Sequence, residues 1–396
     1  MGMALCNSSV ELGNGEWVDW KVCAARHCLL STNGSSAFEK PAIAIPKSTV
    51  ADASSTSDFV PRAWSPQSGC ALRIYNGDEA RKCLKERPLL LIGDSTSMGI
   101  YHELSLLLDD YRFRPHAPSH SKLLHFHRME NVAVNLNVTV STIMREAAAI
   151  RAHGIVINYG AHLAKAVTRN ASCMNTTSSF RLAEYMATVV PPDSRGAYTD
   201  WGRGGQNFTR RVSVGRSPTA WRAALEASRV ATRGADCDAH LLSAAKGLGG
   251  SILGVIERLR AHGFLGRLWW RSIQFNVAFD NTLKLHVNSL LSPTWLWEHW
   301  AELGVEHLDI EQMSASRPET FFHQHSNHFF CVCPRDGARG RSTKGADIRQ
   351  RCHDGPECDH EMRTSVFDNG EPNRYLAQMH LHALCDTPRP HFNHTL

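Results

Sequence analysis

The chain has 396 residues, of which 42% are hydrophobic and 20% charged, and no apolar run is long enough to cross a bilayer. Its formal net charge is only +5, with Lys and Arg spread along the sequence. That pattern lacks the basic stripe with interleaved aromatics that nucleic-acid binding needs, so nucleic acid and a membrane span are both set aside as partners. A globular enzyme of one large domain with substantial insertions fits best.

Residues 1–60 are rich in Ser, Asn, Gly and Cys and poor in apolar periodicity, which predicts an irregular, disulfide-pinned leader ahead of a main domain over 61–396. The opening Met1 to Asn7 shows neither the basic nor the apolar segment of a signal peptide. A short helix is expected over Asp78 to Leu84. Leu89 to Ile92 then form a continuous apolar run that suits a central parallel strand, Gly93 permits a tight exit, and Ile100 to Leu107 resumes helical spacing. A helix over Ser141 to Ala152 leads into a second apolar strand, Gly154 to Asn158. Between about 165 and 250 the sequence turns polar and glycine-rich, as an insertion with a helix near Trp221 to Thr232. Regular alternation returns with a helix over Ser251 to His262, a strand over Arg267 to Ile273, and a helix over Pro293 to Leu303 with proline in its first turn. A strand over Val305 to Ile310 and a closing helix over Asn373 to Leu384, capped by its asparagine, complete the series. Strands alternating with helices imply an α/β/α three-layer fold around a parallel sheet, which binds ligands at the carboxyl ends of its strands.

Ser95 sits at such an end, in Gly93-Asp94-Ser95-Thr96. At a strand-to-helix turn its backbone N–H and the positive end of the following helix can stabilise an oxyanion, which makes Ser95 the candidate nucleophile. Asn158, closing the neighbouring strand, is a candidate second oxyanion donor. The base should be a histidine, and among 22 histidines the cluster His323, His325 and His328, downstream of the last strand, is the one suitably placed.

Twelve cysteines clustered towards the two ends, with Asn-x-Ser/Thr acceptors at Asn7, Asn33, Asn137, Asn170, Asn175, Asn207 and Asn393, favour the secretory lumen or the extracellular space. The competing reading of the C-terminal cysteines is a zinc site drawn from His323, His325, His328, Cys331, Cys333, Cys352, His353, Cys358, Asp359 and His360. They lack a clean Cys-x-x-Cys pair, and an oxidising compartment favours disulfides. The arginines between Arg203 and Arg233 read as a solvated insertion, with contact to an anionic glycan or an acyl donor as the alternative.

Several blocks in order resemble the PC-esterase branch of the GDSL/SGNH superfamily, which includes trichome-birefringence-like and capsule-type O-acetyltransferases and the neurexophilin-and-PC-esterase proteins. They are Gly15-Glu16-Trp17-Val18, Trp64-Ser65-Pro66, Cys83-Leu84, Gly93-Asp94-Ser95-Thr96, Asn158-Tyr159-Gly160-Ala161-His162, Trp270-Arg271, Leu308-Asp309-Ile310 with Arg317-Pro318, His328, and the segment Asn373 to Cys385. The resemblance implies an SGNH-like fold, with Ser95 as nucleophile, Asn158 as oxyanion donor and His328 as base. Gly160, His325, Asp309 and Arg271 are further candidates. It implies O-acyl transfer, most simply O-acetyl transfer, to a polysaccharide or glycoprotein glycan, or the reverse deacylation, in the Golgi or outside the cell. No resident cofactor is implied; the acyl donor could be acetyl-CoA or an acetylated carrier. The family's Asp-x-x-His is missing, because His325 stands three residues before His328. A Ser-His dyad, a carboxylate supplied by Asp309 or Glu319, and a catalytically weak glycan-binding protein all follow from that departure.

Overall fold

A computed structural model describes residues 4–31, 62–109, 120, 122–129, 136–158, 235–274, 287–288, 302–310, 313 and 371–387. In chain order the elements are α1 (Ser9–Gly13), β1 (Gly15–Asp19), α2 (Trp20–Arg26), β2 (Leu29–Ser31), β3 (Arg62–Pro66), β4 (Leu72–Ile74) and α3 (Gly77–Glu86). There follow β5 (Leu89–Gly93), α4 (Ser95–Leu108), β6 (Leu124–Arg128), α5 (Leu136–Ile150), β7 (Gly154–Asn158), α6 (Ala235–Ala261), β8 (Arg267–Arg271), β9 (Val305–Leu308) and α7 (Glu371–Cys385).

Among the described residues the main sheet has five parallel strands in the order β6-β5-β7-β8-β9. β5, β7 and β8 each have neighbours on both sides and are buried along their whole length, which is why they are written as near-continuous apolar runs. Successive side chains of a strand face opposite ways. Leu89 and Leu91 accordingly join one core with Ile100 and Leu104 of α4 and Leu376 and Leu384 of α7. Leu90 and Ile92 join another with Val140 and Ile143 of α5 and Ile252 and Ile256 of α6. Helices therefore cover both faces, and the chain is an α/β protein. The sheet grows outward from β5 first to β6 and then, reversing, to β7. The crevice beyond the carboxyl ends of β5 and β7 is the topological switch point, where open α/β sheets bind ligands.

Three expectations need correction. Residues 1–60 are not simply irregular: α1, β1, α2 and β2 lie there, and β1 pairs antiparallel with β3 from Gly15↔Pro66 to Asp19↔Arg62. Trp17 and Trp64 are fully buried and meet edge to face, and Trp17 also packs edge-on against Tyr375 of α7. Trp17 Nε1 donates to the Met313 carbonyl and Trp64 Nε1 to that of Leu12. These short elements are held by distant partners, so local periodicity did not announce them. Secondly, α6 starts at Ala235, sixteen residues before the expected Ser251, so residues 235–250 leave the proposed insertion. Gly247 and Gly250 had argued against a helix there, yet a Cβ at either would meet nothing. Thirdly, α7 begins at Glu371 with Pro372 in its first turn, so Asn373 lies inside the helix and is buried instead of capping it.

Disulfides join Cys6 to Cys70, Cys23 to Cys28 and Cys83 to Cys385. The last ties α3 to the end of α7 across 302 residues of sequence. These bonds fit an oxidising compartment. No helix among the described residues is long and apolar enough to cross a membrane. The helix near Trp221, the expected first turns of the Pro293 helix and the C-terminal cysteines from Cys331 to Cys358 lie outside the described residues.

Candidate functional site

β5 delivers the chain to the switch point, and a close approach at its end dictates glycine. A Cβ on Gly93 would lie 1.9 Å from the Asn158 carbonyl oxygen and 2.3 Å from Ser97 Oγ. Asp94 then caps α4: its backbone is extended, and its carboxylate accepts from Thr96 N at 2.9 Å and Thr96 Oγ1 at 2.7 Å. Ser95 is the first residue of α4 and so stands at the expected strand-to-helix turn; its side chain lies outside the described set. A helix of 14 residues presents the positive end of its dipole here.

Asn158 ends β7 in register with Gly93. Its side-chain oxygen faces the first turn of α4, within 3.0 Å of Thr96 Oγ1 and 3.4 Å of Ser97 Oγ. Its amide nitrogen donates to the carbonyls of Arg271 at 2.9 Å and Ser272 at 3.0 Å. Sequence reasoning gave those N–H groups to an oxyanion. Here both have carbonyl acceptors, and the amide instead bridges β7, β8 and α4.

Arg271, the last residue of β8, supplies the charge. Its side chain is fully buried, and Nη2 donates to Asn158 Oδ1 at 2.5 Å, Ser97 Oγ at 3.0 Å and Thr96 Oγ1 at 3.1 Å. Nε and Nη1 are also buried and have no hydrogen-bond partner among the described residues. Burial lowers the guanidinium pKa to about 10, against which the Asp94 carboxylate acts, so the group is a cation at neutral pH.

His380 of α7 is the residue that sequence reasoning missed. It is buried, Nδ1 donates to the Leu376 carbonyl at 2.5 Å, and Nε2, a buried acceptor, has no partner among the described residues. Burial first, and then the nearby charge of Arg271, depress its pKa to about 3. The imidazole is thus neutral. The helix also buries Asn373, Gln378 and His382, so a histidine there did not stand out, and 22 histidines in the chain diluted the signal further.

Asp309 follows β9 and accepts from Ser272 Oγ at 3.0 Å, while that hydroxyl accepts from Ile310 N at 2.8 Å. The end of α1 presses on this segment: a Cβ on Gly13 would lie 2.2 Å from the Asp309 carbonyl oxygen. Ser95, Asn158, Arg271 and Asp309 therefore stand at the carboxyl ends of adjacent strands β5, β7, β8 and β9. Gly160, His325, His328 and Glu319 lie outside the described residues.

The amino end of α4, the buried guanidinium of Arg271 and the buried Asp94 carboxylate that caps the helix meet at the turn that carries Ser95. No family model matches the chain, and no curated protein matches it.

Proposed function

We propose that this protein is a serine acyltransferase or acylesterase acting on carbohydrate hydroxyls, most simply an O-acetyltransferase of SGNH type. The observation that carries the proposal is the buried Arg271 cation laid across the first turn of α4, directly after Ser95, at the switch point of a parallel sheet. Ser95 Oγ attacks the carbonyl carbon of the donor ester or thioester and passes its proton to His328, which returns it to the departing alcohol or thiol. The acyl-Ser95 ester is then attacked by a sugar hydroxyl, whose proton goes to the same base, and Ser95 is regenerated. Water in place of the sugar gives the free acid instead. The positive end of α4 and the charge of Arg271 stabilise the oxyanion in both steps.

The acceptor is a polysaccharide or glycoprotein glycan, and the place of action is the secretory lumen, including the Golgi, or the extracellular space. The disulfides and the resemblance of the sequence blocks support that reading. The test is incubation with an activated aryl acetate followed by mass spectrometry. Acetyl-Ser95 with release of the phenol supports the proposal; the absence of both across several donors rejects it. In that event the missing Asp-x-x-His favours a second reading, a glycan-binding protein of the same fold that turns nothing over.

A further inference from the structure

Far from Ser95 in function, the edge strand β6 carries two histidines where its neighbour carries core residues. His125 pairs with Leu90 and His127 with Ile92, both of which face the α5 and α6 layer. Strand alternation places the two imidazoles on that same face, whereas Phe126 points the other way and stacks on Tyr101 of α4. Glu146 of α5 reaches between the two rings. Its Oε2 lies 2.9 Å from His127 Nδ1 and 3.6 Å from His125 Nε2. That oxygen is buried and, apart from these two imidazole contacts, has no hydrogen-bond partner among the described residues, although buried carboxylate oxygens ordinarily have such partners.

We propose that His125, His127 and Glu146 form a binding site for a divalent transition-metal ion of the zinc class. Two imidazoles and a carboxylate suit such a cation, with water in the fourth position. Around a tetrahedral ion with bonds of about 2.0–2.1 Å, neighbouring ligand atoms stand roughly 3.4 Å apart. The two observed separations, 2.9 and 3.6 Å, bracket that spacing. The three ligand atoms are not all within 4.8 Å of one another, so binding draws in His125, whose side chain is the most exposed of the three at 36%. The partial exposure of all three also leaves an entry path. The only trio among the described residues that does meet that spacing, Cys6, Glu11 and Cys70, contains two sulfurs already joined in a disulfide.

The experiment uses the full chain stripped with chelator, then titrated with Zn²⁺ and, separately, Co²⁺. The unaltered protein is expected to take up about one equivalent more zinc than the double variant His125→Asn/His127→Asn and than Glu146→Gln, and to show Co²⁺ visible absorption that both variants lose. Zn²⁺ should raise Tm for the unaltered chain more than for either variant. A readout that needs no variant is carbethoxylation of histidines in the unaltered chain, followed by peptide mapping: bound zinc protects His125 and His127. Equal zinc uptake by all three proteins, or unchanged modification of both histidines at saturating zinc, overturns the proposal.

Discussion

Two buried arginines on one strand, four residues apart, are treated in opposite ways. Arg267 at the start of β8 spends every donor. Nε and Nη2 hold Glu306 in a bidentate pair at 2.8 and 2.6 Å, Nη1 donates to the Ala383 and Thr387 carbonyls, and Nη2 also reaches Thr387 Oγ1. It rivets β9 and the end of α7 to the amino end of the sheet. Arg271 at the other end of β8 uses Nη2 alone, and its buried Nε and Nη1 have no hydrogen-bond partner among the described residues. Desolvating a cation is costly, and full pairing offsets the cost at Arg267 in a way that it does not at Arg271. The amino end of the sheet is cross-linked by a fully paired cation; the carboxyl end, on the proposed function, holds an anion.

Ser95→Ala tests the carboxyl end most severely. Acylation should fall by about a thousandfold or more, with the urea midpoint unchanged; retained acylation would move the nucleophile elsewhere. Arg267→Met should cost about 3 kcal/mol or more in urea unfolding, because it strands the buried Glu306 carboxylate, while acylation per folded molecule persists. Burial raises the Glu306 pKa even with Arg267 beside it, and its pairing and hydrogen bonds only partly reverse that shift.

Arg271→Met should invert this profile, lowering acylation by about 100-fold but stability by only about 1 kcal/mol. A stability loss as large as that of Arg267→Met would abolish the contrast. A smaller effect is expected with pH. The pKa of His380 is depressed to about 3 against an unfolded value of about 6.5. The unfolded chain therefore binds the proton first. Stability should be fully present above about pH 6.5 and decline as the pH falls towards the folded value. His382, also depressed by burial, adds in the same direction. In Arg271→Met the decline should level off at a higher pH, since the charge that helps to hold down the His380 pKa is gone; melting curves carried from pH 7 down to about pH 3 would show it.

What the sequence determined by itself was the sheet interior and the turn that carries the serine. Leu89 to Gly93 and Gly154 to Asn158 are strands because continuous apolar runs bounded by turn residues belong between two neighbours, and β8 carries a shorter run, Leu268 to Trp270, between its two arginines; that signal is local. Gly93 and Ser95 were legible for the same reason. Tertiary structure decided the rest. The tryptophan-rich pairing of β1 with β3, the edge strand β6 and the early start of α6 depend on partners distant in sequence. The amide of Asn158 serves carbonyls because β8 ends beside it, and His380 matters because α7 returns across α4 towards Arg271. Periodicity can show which residues are buried, but not which buried polar groups meet; that is set by strand order and by where the last helix lands.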